Sequence, residues 1–341
     1  MLWFVGAGIS GTDSMSVRAS RVVQTADIVY VETFTSPGMD RHTIESVGQI
    51  REAPRWLVED GRQILADAAT HDSVVLLSYG DPMIATTHTE LRVRALSENI
   101  QVSVLYASSA ISGTISECGL HHYKAGRMAT IMNDTKSLQT PYSTTYQNAI
   151  RRNHTLLLLE YDSESGFFLD PAVALKMMNR YESERRRGVF DESTYAIVAS
   201  RVGQSDQRIR AGYLENLMCT DFGKPPHSIV IPARLHFTER DALMALVECI
   251  NEPPHEDKDP ITPIPEQMIS RYIPMIQEAI NSQPSNVPDG IADIIHNAEA
   301  YMRDAQMALD QDRWEVAILL TGYADGLVDA LRIMQGKDPK M

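Results

Sequence analysis

The chain has 341 residues, a formal charge of −14, 43% hydrophobic and 22% charged residues; these are ordinary values for a folded protein with room for two domains and a small third. That charge repels nucleic acid and anionic membrane over most of the surface, and the two basic runs, ERRRG from Glu184 and IRRNH from Ile150, read as solvated helix ends. Cys118, Cys219 and Cys249 have no Cys-x-x-Cys spacing, so they read as reduced core residues rather than as metal ligands or a redox pair.

The opening MLWFVGAG is already a strand and a turn, without the basic region and apolar segment of a secretory leader. No apolar run approaches the ~18 residues of a membrane span, and a cytoplasmic protein is expected. The first strand ends in GAGISG, with Gly6, Gly8 and Gly11 in G-x-G-x-x-G spacing, and the second, DIVYVE, closes on the acid Glu32. This pattern suggests a dinucleotide site and an oxidoreductase. Against it, Gly11 is followed by TDSMS, whose polar residues are caps, so the helix starts several residues late and its N-terminus misses the pyrophosphate. A permissive turn at a strand end accounts for the glycines equally well. The helix itself collects Met15, Ala19, Val22, Val23 and Ala26 on one face and Arg18, Arg21 and Gln24 on the other.

Next, VVLLSYG is a buried strand, and Gly80-Asp81-Pro82 forces a sharp exit at its carboxyl end, where open α/β sheets bind ligands. Pro82 pushes Asp81 toward an extended conformation, so its side chain or the neighbouring carbonyls face a crevice. A plain turn is an equal reading, with Thr86, Thr87 or Thr89 capping the next helix and Glu90 near capping-box spacing from Thr87. After VSVLYA comes a third polar turn, YASSAISG, whose small side chains let a ligand approach the main chain.

Further strands are TLLLLEY, TYAIVAS and SIVIPA, the last preceded by His227, which also fits a strand-end hydrogen-bonding role. Thr140 with Pro141, and Asp170 with Pro171, have the cap-then-proline pattern of helix starts. Adjacent His121 and His122 point in divergent directions and make a poor chelate, and no metal is expected. No G-x-S-x-G, no H-E-x-x-H and no carboxylate pair names a catalytic base. Continuous apolar strands alternating with helices predict an α/β fold. NEPPHEDKDPITPIPEQ, with five prolines, is an extended linker. Beyond it, stripes at Met268, Tyr272, Ile276 and Ala279, at Ile291, Ile294, Ala298, Tyr301, Met302 and Ala305, and at Trp314, Ala317, Leu320, Ala324, Leu327, Leu331 and Met334 predict an all-α hairpin or three-helix domain.

Taken in order, FVGAGISGTDSMSVRA, YVETFTSP, GDPMIATTHTELRVRA, GLHHYKAG, TPYSTTYQNAIRRNHTLLLLEY and IRAGYLENLMCTDFGKPPHSIVIPARLHFTE resemble the diphthine synthases of the tetrapyrrole methylase superfamily. The resemblance covers residues 1 to about 245. It implies two α/β domains, set at 1–105 and 106–250, with S-adenosylmethionine in the cleft between them, followed by a linker at 251–266 and a helical domain at 267–341 that is similar to one in archaeal proteins. By motif it implies that Ile9, Asp81, Ile84, Ser109, Ala110, Leu159, Val202 and His227 line the cofactor site, with S-adenosylhomocysteine as product. It implies a homodimer whose protein substrate is elongation factor 2. The 3-amino-3-carboxypropyl arm on a histidine of that factor is N-methylated to diphthine. The first turn reads GAGISG where many relatives have GLGL, and YASSAISG lacks a proline often found before the serine, so individual contacts there are open. Other readings are a nicotinamide-dependent oxidoreductase, a non-catalytic scaffold, and a methylase of small tetrapyrroles.

Overall fold

The structure, a computed structural model, describes residues 1–34, 44, 46–162, 165–255, 261, 263–283 and 288–338. The last three residues of YVETFTSP and part of the proline-rich linker lie outside the described residues. Two compact units are present, residues 1–260 and 261–341.

The first unit begins with a five-stranded sheet, every pairing parallel. Its strands are β1 (Leu2–Gly6), β2 (Ile28–Glu32), β3 (Gln49–Ala53), β4 (Val74–Ser78) and β5 (Val102–Leu105), in the order β3-β2-β4-β1-β5. Crossover helices are α1 (Val17–Thr25), α2 (Arg55–Asp60), α3 (Arg62–Thr70) and α4 (His88–Ser97), with α5 (Ala110–Glu117) leaving β5. Alternate residues of each strand supply the two faces. Leu2, Phe4, Ile28, Tyr30 and Leu76 pack with Leu57, Ile64, Leu65 and Leu91, whereas Val5, Val29, Val31, Val75 and Leu77 pack with Ala19 and Val23. Both faces are dry, which is why these strands read as unbroken apolar runs.

The second sheet has six strands: β6 (Ala129–Ile131), β7 (Thr155–Leu159), β10 (Tyr195–Ser200), β11 (Arg208–Tyr213), β12 (His227–Ile231) and β13 (Glu248–Cys249), in the order β13-β11-β10-β12-β7-β6; β8 (Tyr161–Asp162) and β9 (Phe167–Phe168) form a separate hairpin. The helices here are α6 (Gln139–Ile150), α7 (Pro171–Arg185), the single turn α8 (Leu214–Leu217) and α9 (Phe237–Leu246). Unlike the first sheet it is mixed, since β10 runs antiparallel to both β11 and β12, and β12 antiparallel to β7. Its central strands β7, β10 and β12 are still largely buried on both sides, so their apolar runs carry no mark of strand direction.

Several local expectations hold. A 3-10 turn at Gly11–Ser14 delays α1 to Val17, and Ser16 caps it by accepting from the Ala19 amide at 3.1 Å. Asp170 caps α7 by accepting from Val173 N at 3.1 Å. Others need correcting. Thr140 does not cap α6: that helix opens two residues earlier, with Leu138 at the cap position, and Pro141 sits inside its first turn, where a missing N–H costs nothing. Thr87 is the N-cap residue of α4, but its side chain makes no capping bond. Of the cysteines only Cys118 is buried; Cys219 is exposed.

The second unit is three helices, α10 (Ile264–Asn281), α11 (Asp289–Asp310) and α12 (Trp314–Met334). Ile276 and Ile280, Ala298 and Met302, and Ala324 and Val328 interlock as one core. No described helix is long and apolar enough to cross a membrane.

Candidate functional site

Within the first unit, a cavity of about 730 Å³ opens between the carboxyl ends of the parallel strands and the second sheet. Three turns build its wall, and each is held by backbone bonds.

Gly8 and Gly80 exchange amide-to-carbonyl bonds at 3.1 and 3.0 Å, stapling the first turn to the Gly-Asp-Pro turn. A side chain at Gly6 would put Cβ 2.5 Å from the Gly80 carbonyl and 2.7 Å from Ala107 Cβ, so only glycine permits this approach. Asp81 is buried, and its carboxylate accepts from Met83 N at 2.8 Å and Ala107 N at 3.2 Å, tying the turn to the end of β5. The side chain is thus spent on the main chain, and the turn's backbone is what it offers to the cavity. Ser109 caps α5 through a 3.2 Å bond from Ile111 N, and Thr114 Oγ1 meets Ser228 Oγ at 3.2 Å, joining α5 to β12.

The first turn is also latched to the loop after β10. Gln204 Nε2 donates to the Ile9 carbonyl at 2.5 Å and to Tyr79 Oη at 2.9 Å, Tyr79 donates to the same carbonyl, and Ser10 Oγ donates to Gly203 O at 2.6 Å. A side chain at Gly203 would bring Cβ within 2.5 Å of Ile9 Cγ1.

Seven of the eight expected residues lie in the cavity wall: Asp81, Ile84, Ser109, Ala110, Leu159, Val202 and His227. Ile84 is exposed there although apolar. Ile9 is not part of the lining. Its side chain packs behind the wall against Gly113 and Gly203, in the same apolar cluster as Val202. His227 Nδ1 bonds Ser200 Oγ at 2.8 Å, and burial, opposed by the charge of Asp170, holds its pKa below the ordinary imidazole value. The ring is neutral at neutral pH.

The dinucleotide reading fails on the amides. Gly8 N is bonded to Gly80 O, Ile9 N to Ser108 Oγ at 3.2 Å and Ser10 N to Ser14 Oγ at 3.1 Å, so the glycine turn has no free N–H cluster for a pyrophosphate. Nor is Glu32 placed for a ribose. It is buried at the end of β2, with Oε2 3.2 Å from Nε2 of the fully buried His88. That contact is within ion-pair reach but out of line for a hydrogen bond. The His88 Nδ1 lies 2.8 Å from the Pro82 carbonyl, which can only accept, so Nδ1 carries the hydrogen. Both residues line the cavity. The sequence marks Glu32 at the end of its strand without joining it to His88, and gives no sign of Phe34 and Arg55, which line the cavity too.

Charge in the wall is lopsided: among the described residues, the carboxylates of Glu32, Asp81, Glu160 and Asp162 face one guanidinium, Arg55. Such a site favours a cationic ligand. The two histidines outside it diverge as expected, His121 toward Thr238 and Glu239 and His122 toward Ser116.

Residues 1–218 match the family of Tetrapyrrole (Corrin/Porphyrin) Methylases, and residues 271–336 match a family described as Protein of unknown function (DUF357). The chain is 33% identical over 267 residues to a diphthine synthase of Methanosarcina mazei, covering 73% of this chain and 96% of the relative. With a diphthine synthase of Methanocella arvoryzae it shares 34% over 254 residues, covering 72% and 98%. Among solved structures, a crystal structure of a diphthine synthase superposes with a TM-score of 0.64 at 29% identity, covering 73% of this chain and 96% of that one.

Proposed function

The chain belongs to the diphthine synthases of the tetrapyrrole methylase family, and on that premise we propose which part of it holds the cofactor and what it methylates. It is a methyltransferase of diphthamide biosynthesis that depends on S-adenosylmethionine. The cofactor binds in the 730 Å³ cavity, against Asp81, Ile84, Ser109, Ala110, Leu159, Val202 and His227. Ile9 acts from behind the wall rather than by contact. The acceptor is the amino group of the 3-amino-3-carboxypropyl arm on the modified histidine of elongation factor 2, in the cytoplasm, and the working form is a homodimer.

One observation carries this reading. A cavity of small-molecule size, built from three polar turns at strand ends, is lined by an excess of carboxylates that suits a sulfonium cation. When bound, the cofactor supplies an electrophilic methyl group. What the chain itself contributes is alignment. Its small residues at Ser109 and Ala110 let a ligand lie against the main chain, and the Gly8–Gly80 staple fixes the turn beneath it. Neutral His227 adds no charge that would repel a sulfonium. A desolvated wall favours the uncharged, nucleophilic form of an amine.

Incubation with labelled S-adenosylmethionine and elongation factor 2 bearing the aminocarboxypropyl histidine tests the reading. Label must appear on the factor, and no label with a properly folded enzyme defeats it. Light scattering of the full chain tests the dimer.

A further inference from the structure

Four side chains in the cavity wall, Glu32, Phe34, Arg55 and His88, are not among those proposed to hold the cofactor. They meet because β2 and β3 are parallel neighbours with Glu32 opposite Ala53, so Arg55 leaves the sheet two residues beyond that pairing and Phe34 two residues beyond Glu32. Neighbouring strands lie ~4.8 Å apart, which sets a cation and an anion side by side on one sheet edge.

Each is held in place. Arg55 lays its guanidinium over the Phe34 ring, Cζ 5.2 Å from the centroid, and has no carboxylate partner among the described residues. A guanidinium held over a ring face makes that contact without using its N–H donors. Glu32 is held by His88, which is itself anchored to the Pro82 carbonyl and set against the Phe4 ring at 6.0 Å. The same wall has two polar atoms, the hydroxyls of Ser78 and Thr86, buried with no hydrogen-bond partner among the described residues. Orphaned polar atoms of this kind mark a place a ligand fills.

We propose that this corner is the acceptor subsite and that it reads an α-amino carboxylate head group. The fork of Arg55 takes the carboxylate in two parallel bonds, and Glu32 accepts an N–H from the amine, whose lone pair is thereby turned away from the wall. His88 is a positioning residue that fixes the Glu32 carboxylate. The inference deepens the functional reading and rests on it: it says which residues distinguish an aminocarboxypropyl arm from a plain amine.

The test uses the full chain with elongation factor 2 bearing the aminocarboxypropyl histidine as acceptor, and reads the acceptor KM, kcat and, by calorimetry, the affinity for S-adenosylhomocysteine. Arg55→Ala is expected to raise the acceptor KM roughly 10- to 100-fold, the worth of hydrogen bonds to a charged group. Affinity for S-adenosylhomocysteine stays at the wild-type value. Arg55→Lys restores only part of the loss, because an ammonium lacks the fork. Glu32→Gln gives a rise of the same order, and should that buried substitution prevent folding, the exposed Arg55 variants decide alone. Unchanged acceptor KM in Arg55→Ala, or a fall in S-adenosylhomocysteine affinity matching the rise in KM, overturns the subsite. A wild-type chain that binds S-adenosylhomocysteine yet methylates nothing overturns the functional reading, and the subsite with it.

Discussion

Replacing Asp81 by alanine separates binding from building in the Gly-Asp-Pro turn. Its carboxylate accepts two backbone N–H groups, from Met83 at 2.8 Å and Ala107 at 3.2 Å, and both bonds are part-buried. Alanine leaves both donors without a partner. An unsatisfied donor costs about 1–3 kcal/mol, and partial access to water puts each of these in the lower half, for a total of roughly 2–4 kcal/mol. For a unit of this size that is a fall of roughly 4–15 °C in Tm. Asp81→Asn keeps one acceptor oxygen and is expected to lose about half as much. Urea denaturation gives the stability and calorimetry with S-adenosylhomocysteine gives the binding, which weakens because the turn under the cofactor is no longer tied to the end of β5. An Asp81→Ala protein as stable as the wild type would refute the reasoning, since the two bonds would then carry no weight.

Other tests follow from the same structure. Fully buried Glu239 suffers desolvation, which raises its pKa, but bonds from His154 at 2.9 Å, Lys124 at 2.5 Å and the amides of His236 and His121 outweigh it and hold the group far below the carboxylate range. A depressed acid stabilises the fold above its unfolded pKa and loses that contribution as pH falls towards its folded pKa, so urea titrations between about pH 5 and pH 2 should show wild-type stability falling and Glu239→Gln falling less steeply. Buried His154, whose pKa burial lowers, acts in the same direction below its ordinary value. Gly203→Ala, at φ +83° with its new Cβ against Ile9, should weaken S-adenosylhomocysteine binding by disturbing the latch, as measured by calorimetry. A chain ended after residue 260 should keep methyl transfer, whereas one ended at 250 loses Asn251, which accepts from Tyr213 N at 3.0 Å and from the Tyr195 hydroxyl at 3.0 Å, and should melt lower by calorimetry.

The apolar runs made seven strands legible, because a strand dry on both faces needs no polar alternation. They did not reveal β3, whose QIREA is largely exposed at a sheet edge, nor β11, whose RIRAGY alternates. Strand direction in the second sheet was equally hidden, since burial is indifferent to it. In the site, the polar turns located the cavity, and family motifs supplied seven of its lining residues. The pairing of Glu32 with His88 was out of reach, because a contact between the end of one strand and the start of a helix far along the chain leaves no local pattern. Arg55 follows Pro54 in an exposed helix start and looked like any solvated charge. Thr87 and Thr140 misled for one reason: a cap-compatible residue near a helix start is common, and only geometry decides which one bonds.

The imbalance of four carboxylates against one guanidinium among the described residues of the cavity wall bears on turnover as well as on binding. On the proposed reading, S-adenosylhomocysteine would present an uncharged thioether where S-adenosylmethionine presents a sulfonium, and the field of the wall would no longer hold that sulfur. The by-product would then be bound less tightly than the reagent, by the value of that lost attraction. On the proposed reading, the same wall that admits the reagent would let the by-product go.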